Sequence, residues 1–285
     1  MASIALLVNR KSGSGRAEEV EELLEQAGAV VECFDVHECE EAASSGAARM
    51  AVAGGDGSIG YAAAAASAAG IPIGVIATGT ANDFAAGLGL PTDLEAACRL
   101  AATGSELRSL ELARVGGRPF VNIASVGLSP AAAEHAHGLK GRIGALAYPV
   151  GAVRAGLRAT PVRCQVGCDD SPVHQGEAWQ VSVASVGAFG GGASLEADAT
   201  DGKLDLVVIE GSGRARLIKH AYGMRLGAVE GQRGVLNRRC RTVELQLDGN
   251  ESLNVDGELI EAAELADDGS IHFRVEHEAF DLVVG

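Results

Sequence analysis

Aromatic side chains are scarce: one Trp, three Tyr and six Phe in 285 residues. Any core must therefore be built from Ala, Val, Leu and Ile, which the 47% hydrophobic share supplies. Basic residues are also few. Lys and Arg number 23 against 38 Asp and Glu, a formal net charge of −15. That balance speaks against a nucleic-acid partner, since such binding rests on neutralising phosphates with Lys and Arg. It also speaks against strong electrostatic docking on anionic lipid. No apolar run reaches bilayer-spanning length. The longest apolar region, 143–153, is flanked by Arg142 and Arg154 and broken by Pro149. The opening apolar run is too short for an export signal and reads as a buried strand. Cys33, Cys39, Cys98, Cys164, Cys168 and Cys240 include no Cys-x-x-Cys pair. Reduced thiols in a cytoplasmic protein are the expectation, and no zinc site is expected from Cys33, His37 and Cys39.

What is present is a rhythm that changes once. "SIALLVN", "VVECFDV", "MAVAG" and "IPIGVIAT" are apolar runs of strand length, the mark of parallel strands buried on both faces. Between and after them lie helical patterns: "RAEEVEELLEQAG", "CEEAASSGAARM", "SIGYAAAAASAAG", "NDFAAGLGLP" and "DLEAACRLAATG". Strands alternating with helices predict an α/β domain with a parallel sheet, Rossmann-like in class. After about Ser109 the pattern becomes short strands with turn residues between them, beginning with a Gly-Gly hairpin at Gly116 and Gly117. This predicts an antiparallel β-sandwich, interrupted by helices over 139–156 and 215–226. The two domains are placed at 1–112 and 113–285, with the last few residues returning to the first. No low-complexity linker separates them, so they are expected to share a cleft.

Glycine-bearing loops follow three strands of the first domain, and ligands of parallel sheets bind beyond such strand ends. The loop Asn9 to Glu19 lacks Walker spacing, but Lys11, Ser12 and Gly13 can line a phosphate pocket. In "AVAGGDGSIG" an acid, Asp56, stands among Gly54, Gly55, Gly57 and Ser58. It reads as an acid in an exposed loop with few packing contacts. In "ATGTANDFA", Thr78 or Thr80 can cap the following helix, whose N-terminus offers free N–H groups to an anion. Each loop alone can be a plain strand-to-helix turn. Three on one sheet edge suit a nucleotide or phosphate site.

"GGDGS", "GTANDFA", "DGKLDLVVI" and "NVDGEL" occur in that order. With "LLVNRKSGSG", "FVNIASVGLSPAAAE" and "GRIGALAY", they resemble the diacylglycerol kinase catalytic family, and more distantly the NAD kinases and sphingosine kinases. The likeness runs over nearly the whole chain. It implies an NAD-kinase-like first domain, a lipid-binding sandwich, an active site in the cleft between them, and transfer of the γ-phosphoryl group of ATP to a lipid hydroxyl with Mg²⁺. Asn9, Lys11, Ser12, Gly13, Gly54, Gly55, Gly57, Ser58, Gly79, Thr80, Asn82 and Asp83 would then contact the nucleotide. The acceptor would be diacylglycerol, phosphatidylglycerol, or a sphingoid or prenyl alcohol, met by transient contact with a membrane surface. A homodimer is compatible with it.

The resemblance assigns catalysis to Asp56, Asp256 and Glu258. Asp256 is implied as general base on the lipid hydroxyl and Glu258 as a nucleotide or metal contact, while Asp56 competes for the proton. Phosphoryl transfer does require a carboxylate at the attacking hydroxyl and neutralised phosphate charge. Asp-Gly at 256–257 is equally the strongest hairpin dipeptide. A structural magnesium is implied at Asp201, Asp198 and the Lys203 carbonyl; a solvated acidic turn is the alternative there. The chain departs from the family pattern with Ser58 in place of Thr, and with Arg10, Thr78 and Leu195 in place of Pro. An NAD kinase is the second reading, and a non-catalytic nucleotide-binding regulator the third.

Overall fold

The computed structural model describes residues 2–8, 16–128, 160–186, 188–189, 193–194, 199–211 and 234–285. Asn9, Lys11, Ser12, Gly13 and Asp198 lie outside these residues, as do the helices expected over 139–156 and 215–226.

The first domain alternates β1 (Ser3–Val8), α1 (Arg16–Gln26), β2 (Val30–Asp35), α2 (Cys39–Ser44), β3 (Arg49–Gly54), α3 (Asp56–Ala69), β4 (Ile73–Ala77), α4 (Asp83–Gly87) and α5 (Leu94–Thr103). The strands lie in the order β2-β1-β3-β4, all parallel. Ile4, Leu6 and Val8 of β1 pack with Val20 and Leu24 of α1 and with Ala97, Cys98 and Ala101 of α5. Ala5 and Leu7 pack in the core shared with Ile59, Ala62, Ala63 and Ala66 of α3. With both faces covered, apolar residues at every position are what the strand requires.

The second domain contains β5 (Leu107–Val115), β6 (Arg118–Phe120), β7 (Ile123–Gly127), β8 (Val162–Cys168), β9 (Ser171–Ala184), β10 (Ala188–Phe189), β11 (Ala193–Ser194), β12 (Leu204–Glu210), β13 (Val235–Cys240), β14 (Thr242–Leu247), β15 (Ser252–Val255), β16 (Glu258–Glu261), α6 (Ala262–Leu265), β17 (Ala266–Asp267) and β18 (Ser270–Val283). These strands pair with one another in antiparallel fashion. β8 buries Val162, Cys164 and Val166 and exposes Arg163 and Gln165, the alternation of a half-covered strand. Phe120 and Phe273 meet edge to face in this core, centroids 6.5 Å apart.

β18 belongs to both domains. Phe273 to Glu276 pair with Val115 to Leu112 of β5; after a register shift, Phe280 to Val283 pair with Leu110 to Leu107. Leu282 also pairs with Ile73 of β4 in parallel, so the antiparallel β5–β18 pairing continues the first sheet and makes it mixed. Phe273 lies in the second core, and Phe280 and Leu282 in the first. The β5–β18 ribbon thus fixes one domain against the other and sets the cleft between them.

Candidate active site

β3 ends in Gly54, Gly55 is the N-cap of α3, and Asp56 is the first residue of that helix. The next loop runs from β4 to α4. The two loops are tied by the Thr78 N–H donating to the Gly54 carbonyl at 3.0 Å. They also touch glycine to glycine: a Cβ on Gly79 would lie 2.6 Å from the Gly55 Cα. Asp56 is not the exposed loop acid that the sequence suggested. It is 9% exposed, and its carboxylate accepts the N–H groups of Asp83 (3.2 Å) and Phe84 (3.1 Å). Those are orphan donors at the start of α4, so a residue 27 positions away performs the capping expected of Thr78 or Thr80. Asn82 takes the N-cap position at φ 55°, its amide donating to the Gly79 carbonyl at 3.1 Å. Its Oδ1 is buried and without a partner among the described residues. Burial raises the pKa of Asp83, and the charge of Asp56 adds to the rise. Its carboxylate accepts no hydrogen bond among the described residues.

Two tight hairpins of the second domain face this edge. In the β15–β16 hairpin Val255 pairs with Glu258 across Asp256 (φ 47°) and Gly257 (φ 91°). Positive φ at both turn positions is the type I′ requirement that Asp-Gly meets. Asp256 accepts three backbone donors: Val121 on Oδ2 at 2.7 Å, and Asn122 and Ile123 on Oδ1 at 3.0 Å each. Burial pushes its pKa up to about 7, against the pull of those three donors, with a smaller upward push from Asp56. In the β5–β6 hairpin Val115 pairs with Arg118 across Gly116 (φ 54°) and Gly117 (φ 84°). It delivers the Arg118 guanidinium to Glu258 Oε2 and, 5.1 Å from the ring centroid, onto Tyr61 of α3. The other carboxylate oxygen, Oε1, faces the first domain: a Cβ on Gly57 would lie 3.2 Å from it.

The structure therefore brings Gly54, Gly55, Asp56, Gly57, Ser58, Gly79, Thr80, Asn82 and Asp83 together at one sheet edge, opposite Asp256 and Glu258. It separates the acids by what their oxygens do. Asp56 and Asp256 are committed to backbone amides, whereas Glu258 meets the Arg118 side chain, and its Oε1 accepts no hydrogen bond among the described residues. Sequence reasoning missed Arg118, Tyr61 and Asn122, whose Oδ1 is buried without a partner among the described residues. The only signal was the Gly-Gly turn that places Arg118.

Asp201 lies apart from this edge. Its Oδ1 accepts the Lys203 N–H at 2.9 Å, and its Oδ2 is 3.2 Å from Arg239 Nη2. Arg239 also reaches buried Asp205 at 3.3 Å. Nearby, buried Glu111 accepts from Ser185 Oγ (3.2 Å) and the Gly202 N–H (2.8 Å). No group of three His, Cys, Asp or Glu suited to a metal occurs among the described residues. The cation at Asp201 among the described residues is the Arg239 guanidinium, and Asp198, the other acid expected there, lies outside them.

Residues 3–115 match the family described as diacylglycerol kinase catalytic domain. Residues 122–272 match the YegS C-terminal NAD kinase beta sandwich-like domain. The chain is 29% identical over 191 residues to the diacylglycerol kinase of Bacillus subtilis (strain 168), covering 65% of this chain and 62% of that protein. It is 33% identical over 165 residues to the "Probable lipid kinase YegS-like" of Klebsiella pneumoniae (strain 342), covering 55% of this chain and 54% of the relative. These matches thus span between about half and under two thirds of the relatives' lengths. Among solved structures, a "putative diacylglycerol kinase" from Bacillus anthracis str. Sterne superposes with a TM-score of 0.78 at 20% identity, covering 100% of this chain and 97% of that one. Yeast NADH kinase complexed with NADH gives 0.52 at 10% identity, covering 99% and 82%. At these identities the likeness to solved structures concerns the fold.

Proposed function

The chain belongs to the diacylglycerol kinase catalytic-domain family, with the YegS-type second domain, and from that premise we propose that it phosphorylates a lipid hydroxyl, with ATP as donor. The observation that carries this reading is Glu258, brought from the second domain against Gly57 at the N-terminus of α3, its Oε1 accepting no hydrogen bond among the described residues. The acceptor oxygen attacks the γ-phosphorus, the bond from that phosphorus to the β–γ bridging oxygen breaks, and ADP leaves. The hydroxyl proton passes to Glu258 Oε1 and then to solvent. We assign the base to Glu258 rather than Asp256 because geometry precedes pKa. A value near 7 suits proton transfer, but three of the four acceptor positions of Asp256 are filled by its own backbone.

Asp56 orders the start of α4, and with it the Asn82 turn that closes on Gly79. Magnesium bound with the nucleotide would neutralise phosphate charge. Asp83, whose carboxylate accepts no hydrogen bond among the described residues, would be the residue to hold it. No helix among the described residues is long and apolar enough to cross a membrane; in this reading the lipid is met by transient contact at a membrane surface.

The test is incubation with γ-labelled ATP and magnesium, offering diacylglycerol in mixed micelles in one arm and NAD in another. Label is expected in the lipid extract. Glu258→Gln is expected to lose roughly 10²–10⁴-fold in turnover with ATP binding retained. Label in the NAD arm alone overturns the lipid reading, and wild-type turnover in Glu258→Gln overturns the base assignment.

A further inference from the structure

The Arg118–Glu258 pair lies at the tips of two hairpins, where the second domain meets the first helix of the glycine edge. We propose that Arg118 is a positioning residue for the reaction, holding the Glu258 carboxylate by Oε2 so that Oε1 stays aimed at the acceptor hydroxyl. This rests on the reading of Glu258 as base. A glutamate whose side chain is 55% exposed has no packing to hold it in one rotamer. Arg118 supplies the missing restraint. Its own backbone is set by the two positive-φ glycines of the preceding turn. Its guanidinium carbon lies 5.1 Å from the centroid of the Tyr61 ring, and Tyr61, four residues beyond Gly57, lies on the same face of α3.

The chemistry suits arginine in particular. A planar guanidinium can stack on a ring while donating in its own plane to a carboxylate, which an ammonium cannot do in the same fixed geometry. Tyr61 remains 38% exposed in a chain with three tyrosines; it serves as a platform under the arginine rather than as core. A half-exposed ion pair adds little to folding stability. Its value is in placing one oxygen, and a displacement of about 1 Å at a reacting group costs on the order of 10²-fold in rate.

The experiment compares kcat, KM for ATP and melting temperature in wild type, Arg118→Met, Arg118→Lys, Tyr61→Phe, Tyr61→Leu and Glu258→Gln. Arg118→Met is expected to lower kcat by roughly 10²-fold, with KM for ATP and the melting temperature close to wild type. Arg118→Lys recovers part of the loss. Tyr61→Leu lowers kcat less than Arg118→Met does, and Tyr61→Phe, which keeps the ring, loses less than Tyr61→Leu. Wild-type kcat in Arg118→Met, with Glu258→Gln inactive, overturns the positioning role and leaves the base assignment standing. Full turnover in Glu258→Gln removes the base assignment, and this proposal with it. If Arg118→Met does not fold, Tyr61→Leu decides: an unchanged kcat overturns the proposal.

Discussion

At the scale of single residues, what matters is where each carboxylate spends its lone pairs. The motifs named Asp56, Asp83, Asp256 and Glu258 from the sequence, and the fold brings all four to one edge. Their division of labour was not legible there. Whether an acid meets solvent, a guanidinium or a row of backbone amides depends on segments far away in the chain: Val121 to Ile123 for Asp256, and α4 for Asp56. The half-buried Asp256 has a consequence for stability. Its folded pKa is raised to about 7, so between its ordinary range near 4 and pH 7 the folded protein keeps a proton that the unfolded chain has released. The stability from this group is therefore full at acid pH and is lost as pH rises through 7. Melting temperatures across pH 5 to 8 are expected to fall in wild type, and Asp256→Asn, which has no proton to exchange, is expected to flatten that part of the slope. An equal slope in the variant assigns the effect to other groups.

At the scale of elements, most of the first domain was readable because burial on both faces of a parallel sheet leaves uninterrupted apolar runs. Both I′ hairpins were readable because Gly-Gly and Asp-Gly announce themselves. α3 starts two residues before the expected Ser58, since Asp56 and Gly57 already have helical geometry. α2 stops at Ser44, short of the expected Met50, with Ser45 Oγ bonding back to the Ala42 carbonyl. β13 was missed: its burial pattern is largely intermediate or exposed, and it pairs with β12 alone. The contact between the two glycine loops was not visible at all, because each motif read singly suggests room for a phosphate, whereas here each glycine makes room for the other. Gly79→Ala would place a Cβ 2.6 Å from the Gly55 Cα, which is backbone and cannot yield as a side chain would, and 2.8 Å from Asn82 Oδ1. It is expected to displace the β4–α4 loop, weaken ATP binding by well over tenfold and lower the melting temperature, whereas a change to Ala at exposed Gly89, if its φ of 69° is tolerated, leaves ATP binding intact. Titration calorimetry with ATP checks both; unchanged affinity in Gly79→Ala would show that the loop contact is dispensable.

At the scale of the whole molecule, the β5–β18 ribbon is what makes two domains one unit. Sequence patterning expected short strands up to the end of the chain, and only that the last few residues return to the first domain. The register shift between Glu276 and Phe280, with Glu278 at φ 48°, breaks the alternation exactly where the strand crosses from one core to the other. The end of the strand is held firmly: the Gly285 carbonyl accepts from Ser105 (2.6 Å) and Glu106 (2.8 Å). Removing residues 279–285 deletes Phe280 and Leu282 from the first core. Each such loss costs about 2–5 kcal/mol even as truncation to Ala, comparable with the whole stability of a typical domain. The shortened chain is expected to lose the cooperative melting of the first domain, including ATP-dependent stabilisation, by scanning calorimetry; a wild-type transition would show that the ribbon is ornamental to that core.

The same strand has a bearing on biosynthesis. A chain normally folds its leading domain while the rest is still being made. Here β4 has no neighbour on one side, and the α3 side of the core has no Phe280 or Leu282, until the ribosome has passed every other described element. The leading 103 residues or so, ending with α5, must therefore wait with an open sheet edge, a surface that invites pairing with other chains. Full packing of the first core, and with it of the glycine edge, must therefore await β18.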